Sequence, residues 1–186
     1  LGAAGYLGMI LPQSVGGHDR HPLERYIVIE ELLAAGAPVG AHWIADRQTA
    51  PLILRYGSDE AKARYLPPIC AGELYTCIGL SEPNAGSDLA SVRSTARLTA
   101  DGWRLNGQKI WTSLGNDANW IYLLVRTDKS VKKQEGISFM LVPMDVPGIT
   151  VRPILTLGMT DEFCEVFFDN VRVPKESLVG ALNNGW

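Results

Sequence analysis

The hydrophobic period of this chain changes once, between Ala71 and Tyr75, and that change restricts the fold to helices followed by sheet. Before it, residues Pro22 to Ala35 place Leu23, Tyr26, Ile27, Leu33 and Ala34 on one face and Glu24 and Glu31 on another. With Pro22 near the start and Gly36 just past the end, this predicts an amphipathic helix. A second helix is predicted over Ile44 to Tyr56, begun or kinked by Pro51, which cannot donate to the preceding turn; Gly57 ends it. Ser58 caps a third, Asp59 to Leu66, whose acidic first residues suit the helix dipole, and Pro67-Pro68 stops it.

After the change the period is that of strands. Thr95 to Ala100 and Trp103 to Lys109 flank Asp101-Gly102, a dipeptide favoured in two-residue hairpins because both central positions need positive φ. Further strands are predicted at Trp120 to Arg126, Ile137 to Val142, Ile149 to Ile154 and Phe163 to Phe168, each rich in branched or aromatic residues. Thr127 to Glu135 is charged and poor in apolar residues, which predicts a solvated loop. The order helices, then antiparallel strands, gives an α+β chain or two small domains.

Composition excludes several classes of function. The 186 residues, 46% hydrophobic and 20% charged, are enough to bury a core. The 17 basic and 20 acidic residues are balanced, with no basic run longer than Lys132-Lys133, so a nucleic-acid footprint is missing. No apolar stretch approaches membrane-spanning length, and no basic segment followed by an apolar one opens the chain, so neither a membrane span nor a signal peptide is expected. Cys70, Cys77 and Cys164 are too few and too irregular for a disulfide framework, which points to core packing in a reducing, cytoplasmic setting. His18, His21 and His42 do not combine with them at metal-ligand spacing, so no metal site is expected. No Rossmann or Walker glycine motif is present.

The run from Gly79 to Ser91, Gly-Leu-Ser-Glu-Pro-Asn-Ala-Gly-Ser-Asp-Leu-Ala-Ser, stands out. Its Pro, Asn, Gly, Ser and Asp are turn formers, which supports an ordinary turn. Its small residues and hydroxyls, following the apolar Cys77-Ile78-Gly79-Leu80, equally suit a binding loop held at the mouth of a sheet. A second block, Asn106-Gly107-Gln108-Lys109-Ile110-Trp111-Thr112-Ser113, follows it, and Ala118-Asn119-Trp120 then leads into an apolar strand.

These two blocks, in this order and at this distance, resemble the acyl-CoA dehydrogenase family. Residues Gly79 to Asp88 fit each fixed position of its signature: small, aliphatic, Ser or Thr, Glu, two variable, small, Gly, Ser or Thr, Asp. The resemblance implies an N-terminal α-helical domain over residues 1–74, entered part-way. A mostly antiparallel β-barrel domain follows over 75–175, and 176–186 open a connection to a C-terminal helical domain beyond Trp186. It implies FAD as cofactor, an acyl-CoA substrate, an electron-transfer flavoprotein as acceptor, and a homo- or hetero-oligomer. The reaction implied is α,β-dehydrogenation to a trans-2-enoyl-CoA with hydride transfer to flavin N5, as in lipid metabolism and β-oxidation.

Carried over by position, Ile78, Gly79, Leu80, Ser81, Glu82, Pro83, Asn84, Ala85, Gly86 and Ser87 would line the flavin, with Ser81 bonding the ring edge. Trp111 would lie against the ring, Thr112 would share the segment, and Ser113 would point toward N5 or O4. Ser87 would also reach the acyl-CoA. Glu82 and Asp88 would fix the loop by accepting backbone N–H bonds. Trp111 also has a simpler reading as a core strand aromatic, and Gly107 as a turn or bulge. The family's catalytic Glu belongs to the C-terminal domain, so no general base is assigned here, and residues 1–186 alone are expected to be inactive. Alternatives are a non-catalytic flavin- or CoA-binding subunit of a heteromeric enzyme, an acyl-CoA oxidase, or a flavin monooxygenase of the same fold.

Overall fold

The computed structural model describes residues 1–186 apart from the side chains at positions 41 and 42, so the expectation about His42 lies outside the described residues. The chain forms two compact units, Leu1–Thr76 and Cys77–Trp186.

In the first unit, helix α1 spans Pro22–Ala34. His21 caps it: its Nδ1 accepts from the Leu23 N–H at 3.2 Å, and its own N–H donates to Glu24 Oε1 at 3.1 Å. This is a capping box with imidazole in place of the usual hydroxyl. The apolar face anticipated from sequence is present but is not spent on this unit's core: Leu23, Tyr26 and Ile27 are all exposed, and no residue of α1 is buried.

The helix predicted over Ile44 to Tyr56 is divided in three. Helix α2 (Gly40–Ile44) passes into a π-helical segment, Ala45–Thr49, and then into α3, Ala50–Tyr56. The Ala50 N–H reaches the Ala45 carbonyl, five residues back. Pro51 has no N–H to continue the i to i−4 pattern, and the wide turn ends where it enters. Asp46, buried in the π segment, accepts the Gly8 N–H at 2.7 Å, and Thr49 exchanges a hydroxyl bond with Thr76 at 2.8 Å.

Helix α4 corrects the sequence reading. It runs Asp59–Ala71, through both Pro67 and Pro68 rather than stopping before them. Ser58 does cap its start, its Oγ accepting from the Ala61 N–H at 3.2 Å. Each interior proline costs about 3 kcal/mol. Tyr65, Leu66, Ile69 and Cys70 are all buried on this helix, and at about 1.5–3 kcal/mol for each large apolar side chain their burial offsets that cost. Gly72, in the left-handed region at φ 79°, closes the helix by donating to the Ile69 and Pro68 carbonyls.

The second unit is an eight-stranded sheet: β1 Thr76–Gly79, β2 Thr95–Thr99, β3 Gly102–Ser113, β4 Trp120–Arg126, β5 Ile137–Pro143, β6 Ile149–Ile154, β7 Phe163–Val173 and β8 Leu178–Val179. The order is β6-β7-β3-β2-β4-β5-β8, with β1 also paired to β4. The β2–β3, β3–β7, β4–β5, β5–β8 and β6–β7 pairs are antiparallel, while β2 meets β4 in parallel at Thr95 and Arg126. β4 and β5 are buried almost throughout, including Ile121, Leu123, Val125, Ile137, Met140 and Leu141, which is why their sequences are apolar runs rather than alternating ones. Strand β7 exceeds its predicted end because it pairs with β3 from Trp103–Val173 to Ser113–Phe163. The two-residue β8 was not anticipated.

The β2–β3 hairpin forms, shifted by one residue from the expectation. Thr99 pairs with Gly102, so Ala100 and Asp101 make the turn, and neither has positive φ. Gly102 opens β3 at φ 130°, where a Cβ would overlap the Val173 carbonyl oxygen. Close approach of β7, not the turn centre, is what requires the glycine. All three cysteines are free and buried; burial pushes the Cys77 thiol up to about 12 and the Cys70 thiol to about 11, so both stay protonated.

Candidate functional site

The loop after β1 is held by a buried ion pair. Glu82 Oε2 accepts the Arg93 N–H at 2.6 Å, and Oε1 accepts the Ser94 N–H at 2.9 Å and Lys109 Nζ at 2.9 Å. Lys109, fully buried on β3, gives its other two bonds to the carbonyls of Leu80 at 3.0 Å and Leu124 at 2.8 Å. All three ammonium protons therefore have acceptors. Burial alone would raise the Glu82 carboxyl, but Lys109 and the Arg93 and Ser94 N–H groups outweigh it and hold the group below the usual carboxylate range. Burial pulls Lys109 below the ordinary lysine range, with Glu82 opposing. Three acceptors around Lys109 Nζ suit an ammonium and three donors on Glu82 suit a carboxylate, and the pair fixes the loop to β3 and β4.

Within the loop, Glu82 and Ala85 exchange backbone bonds at 2.8 and 3.0 Å, so a tight turn is present with Pro83 and Asn84 exposed at its corner. The turn is embedded in a larger anchored segment. The Ile110 N–H donates to the Ser81 carbonyl at 3.0 Å, which puts the loop directly beside the next part of β3. Further along, Asp88 bonds the Ser91 hydroxyl and meets Lys133 Nζ at 3.4 Å; the Ser91 bond, aided by Lys133, holds this exposed carboxyl low. Gly79 is where a Cβ would overlap Leu123 Cδ2 of β4.

At Trp111 the strand turns a side chain outward. Lys109 pairs with Val166 and Thr112 with Cys164, so Ile110 and Trp111 together oppose Glu165, a β-bulge. Trp111 adopts φ 59°, the left-handed region that a bulky residue rarely enters, and is 59% exposed. Its ring stands edge-on to Phe163 with centroids 6.4 Å apart. This overturns the reading of Trp111 as a core aromatic.

Its neighbours divide. Thr112 is fully buried with an Oγ1 that has no hydrogen-bond partner among the described residues, whereas Ser113 is partly exposed. The hydroxyls of Ser81, Ser87 and Ser113 have no partner among the described residues, and Gly86 and Ser87 are exposed. The result is an uncharged wall of free hydroxyls, small residues and one indole, with its charges neutralised beneath the surface. Among the described residues no group of three or more His, Cys, Asp or Glu is placed to hold a metal ion, and no helix is long and apolar enough to cross a membrane.

Comparison with known families agrees with this arrangement of helices, sheet and anchored loop. Residues 1–73 match the family model described as acyl-CoA dehydrogenase, N-terminal domain, and residues 77–171 match acyl-CoA dehydrogenase, middle domain. The chain belongs to the acyl-CoA dehydrogenase family.

Among its acyl-CoA dehydrogenase relatives is acyl-CoA dehydrogenase IpdE1 of Mycobacterium tuberculosis, 40% identical over 186 residues, which cover the whole chain and 48% of IpdE1. Of solved structures, the Tcur3481-Tcur3483 steroid ACAD superposes with a TM-score of 0.93 at 37% identity over 100% of this chain and 48% of its own. The ChsE4-ChsE5 complex from Mycobacterium tuberculosis superposes with a TM-score of 0.91 at 40% identity over 100% of this chain and 47% of its own. The chain thus spans about half the length of the relatives it matches. The α+β architecture expected from the resemblance, helices then a mostly antiparallel sheet, is the fold found.

Three residues near the wall have roles that the sequence alone does not reveal. Lys109 carries no sequence sign of burial, since Gly107 and Trp111, two residues to either side, are exposed, and only the fold brings Glu82 to it. Gly107, read as a turn or bulge, sits next to a register shift between Leu105 and Gly107 at φ 148°. A Cβ there would lie 2.6 Å from Ser94 Cα, so the glycine admits Ser94, whose N–H holds Glu82. Ser94 itself carried no sequence signal.

Proposed function

We propose that this chain supplies one wall of the FAD and acyl-CoA site of an acyl-CoA dehydrogenase. The observation that carries the reading is Trp111, held outward on a bulge in a left-handed conformation, one residue from the N–H that anchors the Ser81 carbonyl. Backbone strain of this kind persists where the exposed group is used.

The residues fit a flavin: an exposed indole for its ring, free hydroxyls for its polar edge, and no unpaired charge on the wall. Trp111 would lie against the ring, with the segment Ile78 to Ser87 lining it. Ser81 would bond the ring edge, and Ser113 would present its hydroxyl toward N5 or O4, where negative charge develops. Ser87 would also meet the acyl-CoA. FAD, when bound, supplies the acceptor for the hydride that leaves the β-carbon. Lys109 and Glu82 keep the loop in register with β3, so that Ser81 and Trp111 hold a fixed separation. No residue of this chain is assigned to remove the α-proton; in the family that group is a Glu of the C-terminal domain.

Likeness to the steroid ACAD favours a bulky, steroid-derived acyl group, and likeness to the ChsE4-ChsE5 complex favours assembly with a second type of chain. In such an assembly a non-catalytic, flavin-binding role is the second reading. An electron-transfer flavoprotein would take the electrons, in a reducing cytoplasm that suits three buried free thiols. The test is to purify the protein from its complete reading frame, record its visible spectrum, and assay acyl-CoAs of graded size with an artificial electron acceptor. A yellow protein whose flavin is lost in Trp111→Ala and Ser81→Ala supports the reading. Absence of flavin absorbance after reconstitution with FAD overturns it.

A further inference from the structure

Away from the loop, strand register brings three guanidinium groups into one row. Arg97 of β2 pairs with Arg104 of β3, and Arg104 pairs with Arg172 of β7. Directly opposed residues share a sheet face at neighbouring-strand spacing of about 4.8 Å, so the three side chains leave the same face side by side. That face is the outer one: Arg97 and Arg172 are exposed, while Ala96, Trp103, Leu105, Val171 and Val173, on the opposite face, are buried. The row lies seven residues from Trp111 along β3, roughly 23 Å at about 3.3 Å per residue.

Like charges directly opposite on a sheet are destabilising, so the row is not explained by the fold. Part of it is already positioned. Arg104 Nη2 donates to Asp101 Oδ2 at 2.9 Å, and Asp101 Oδ1 accepts the Thr99 hydroxyl at 2.7 Å. Asp101 is held low first by the Thr99 bond, with the charge of Arg172 contributing. That carboxylate pairs with one of the three cations, Arg104, and Arg104 Nη1 is buried with no hydrogen-bond partner among the described residues. A guanidinium is a planar fork suited to phosphate oxygens, and three of them on neighbouring strands can share one tetrahedral dianion, which accepts bonds from several donors at once.

We propose that Arg97, Arg104 and Arg172 form a binding site for a phosphate monoester on the outer face of the sheet. The site is independent of the flavin wall. The experiment is calorimetric titration of the complete protein with inorganic phosphate and with glycerol phosphate at constant ionic strength, comparing wild type, R97S/R172S and W111A. Because Arg97 and Arg172 are exposed and repel, the double variant folds. Saturable binding of both probes that weakens at least tenfold in R97S/R172S and is unchanged in W111A is the expected result; tighter binding of glycerol phosphate than of phosphate identifies an organic monoester as the natural source. Equal affinity in wild type and R97S/R172S overturns the proposal. So does heat matched by chloride, or tighter binding of an Asp- and Glu-rich peptide than of either phosphate.

Discussion

The ammonium of Lys109 donates to the carbonyl of Leu80 at 3.0 Å, so a side chain two residues before Trp111 fixes the backbone one residue before Ser81. The same nitrogen reaches Glu82. One cation thereby grips the loop on both sides of its central hydroxyl.

Lys109→Met leaves the Glu82 carboxylate buried without its cation, and stability should fall by about 3–5 kcal/mol. Adding Glu82→Gln to it should recover part of that loss, since two neutral groups tolerate burial better than one bare charge. Urea unfolding of the two single variants and the double variant measures the coupling. Strictly additive losses would show that the pair does not act as a unit.

Acid should loosen the same contact. The folded pKa of Glu82 is lowered from its ordinary 4.5, so the unfolded state binds more protons between the two values. The stabilisation is complete above the unfolded value and disappears as pH falls through the folded one. Stability measured from pH 6 downward should therefore decline less steeply in Glu82→Gln than in wild type.

Trp111→Gly separates strain from use. Glycine accepts φ 59° without penalty, and the indole is mostly exposed, so stability should hold or rise by about 1 kcal/mol. Flavin retention should drop. Thermal melts alongside the ratio of visible to ultraviolet absorbance read both quantities, and a large loss of stability would mean that the ring packs more than its exposure indicates.

Gly107→Ala meets two obstacles, a φ of 148° and a neighbour at Ser94 Cα 2.6 Å from the new Cβ. A loss of about 3 kcal/mol or more is expected. It should be accompanied by release of the loop, visible as faster amide exchange at Arg93 and Ser94, whose N–H groups bond Glu82.

Thr112→Val replaces a buried hydroxyl lacking a partner with a methyl of similar volume. Stability should rise by up to about 1–2 kcal/mol, with flavin content unchanged, as denaturant melts and absorbance would report.

Much of this was legible in the sequence. The order of elements followed from period alone, whereas the roles proposed for Ser81, Trp111 and Ser113 come from the resemblance to the family. What sequence patterns could not supply was long-range. Pro67 and Pro68 look like a stop unless the burial of Ile69 and Cys70 is known. Asp101-Gly102 looks like a turn centre unless Val173 is seen against Gly102. Trp111 has the same letter whether it fills a core or leaves it, and only the unequal count of residues on β3 and β7 decides. Lys109 needed Leu124, fifteen residues on, before its charge made sense.

The π segment at Ala45–Thr49 acts as a one-residue spacer in the helical screw. A five-residue hydrogen-bonded repeat houses one amino acid more than the α pattern, so removing a residue there would let α2 and α3 fuse into one regular helix. Because the wide turn absorbs that residue, everything upstream would keep nearly its phase relative to α3, whereas the same deletion within α3 would rotate it by about 100° and shift it by about 1.5 Å. Asp46 would keep its aim at the Gly8 N–H in the first case and lose it in the second. In this protein one turn of helix carries a spare residue, and the place of a deletion decides whether angular register survives it.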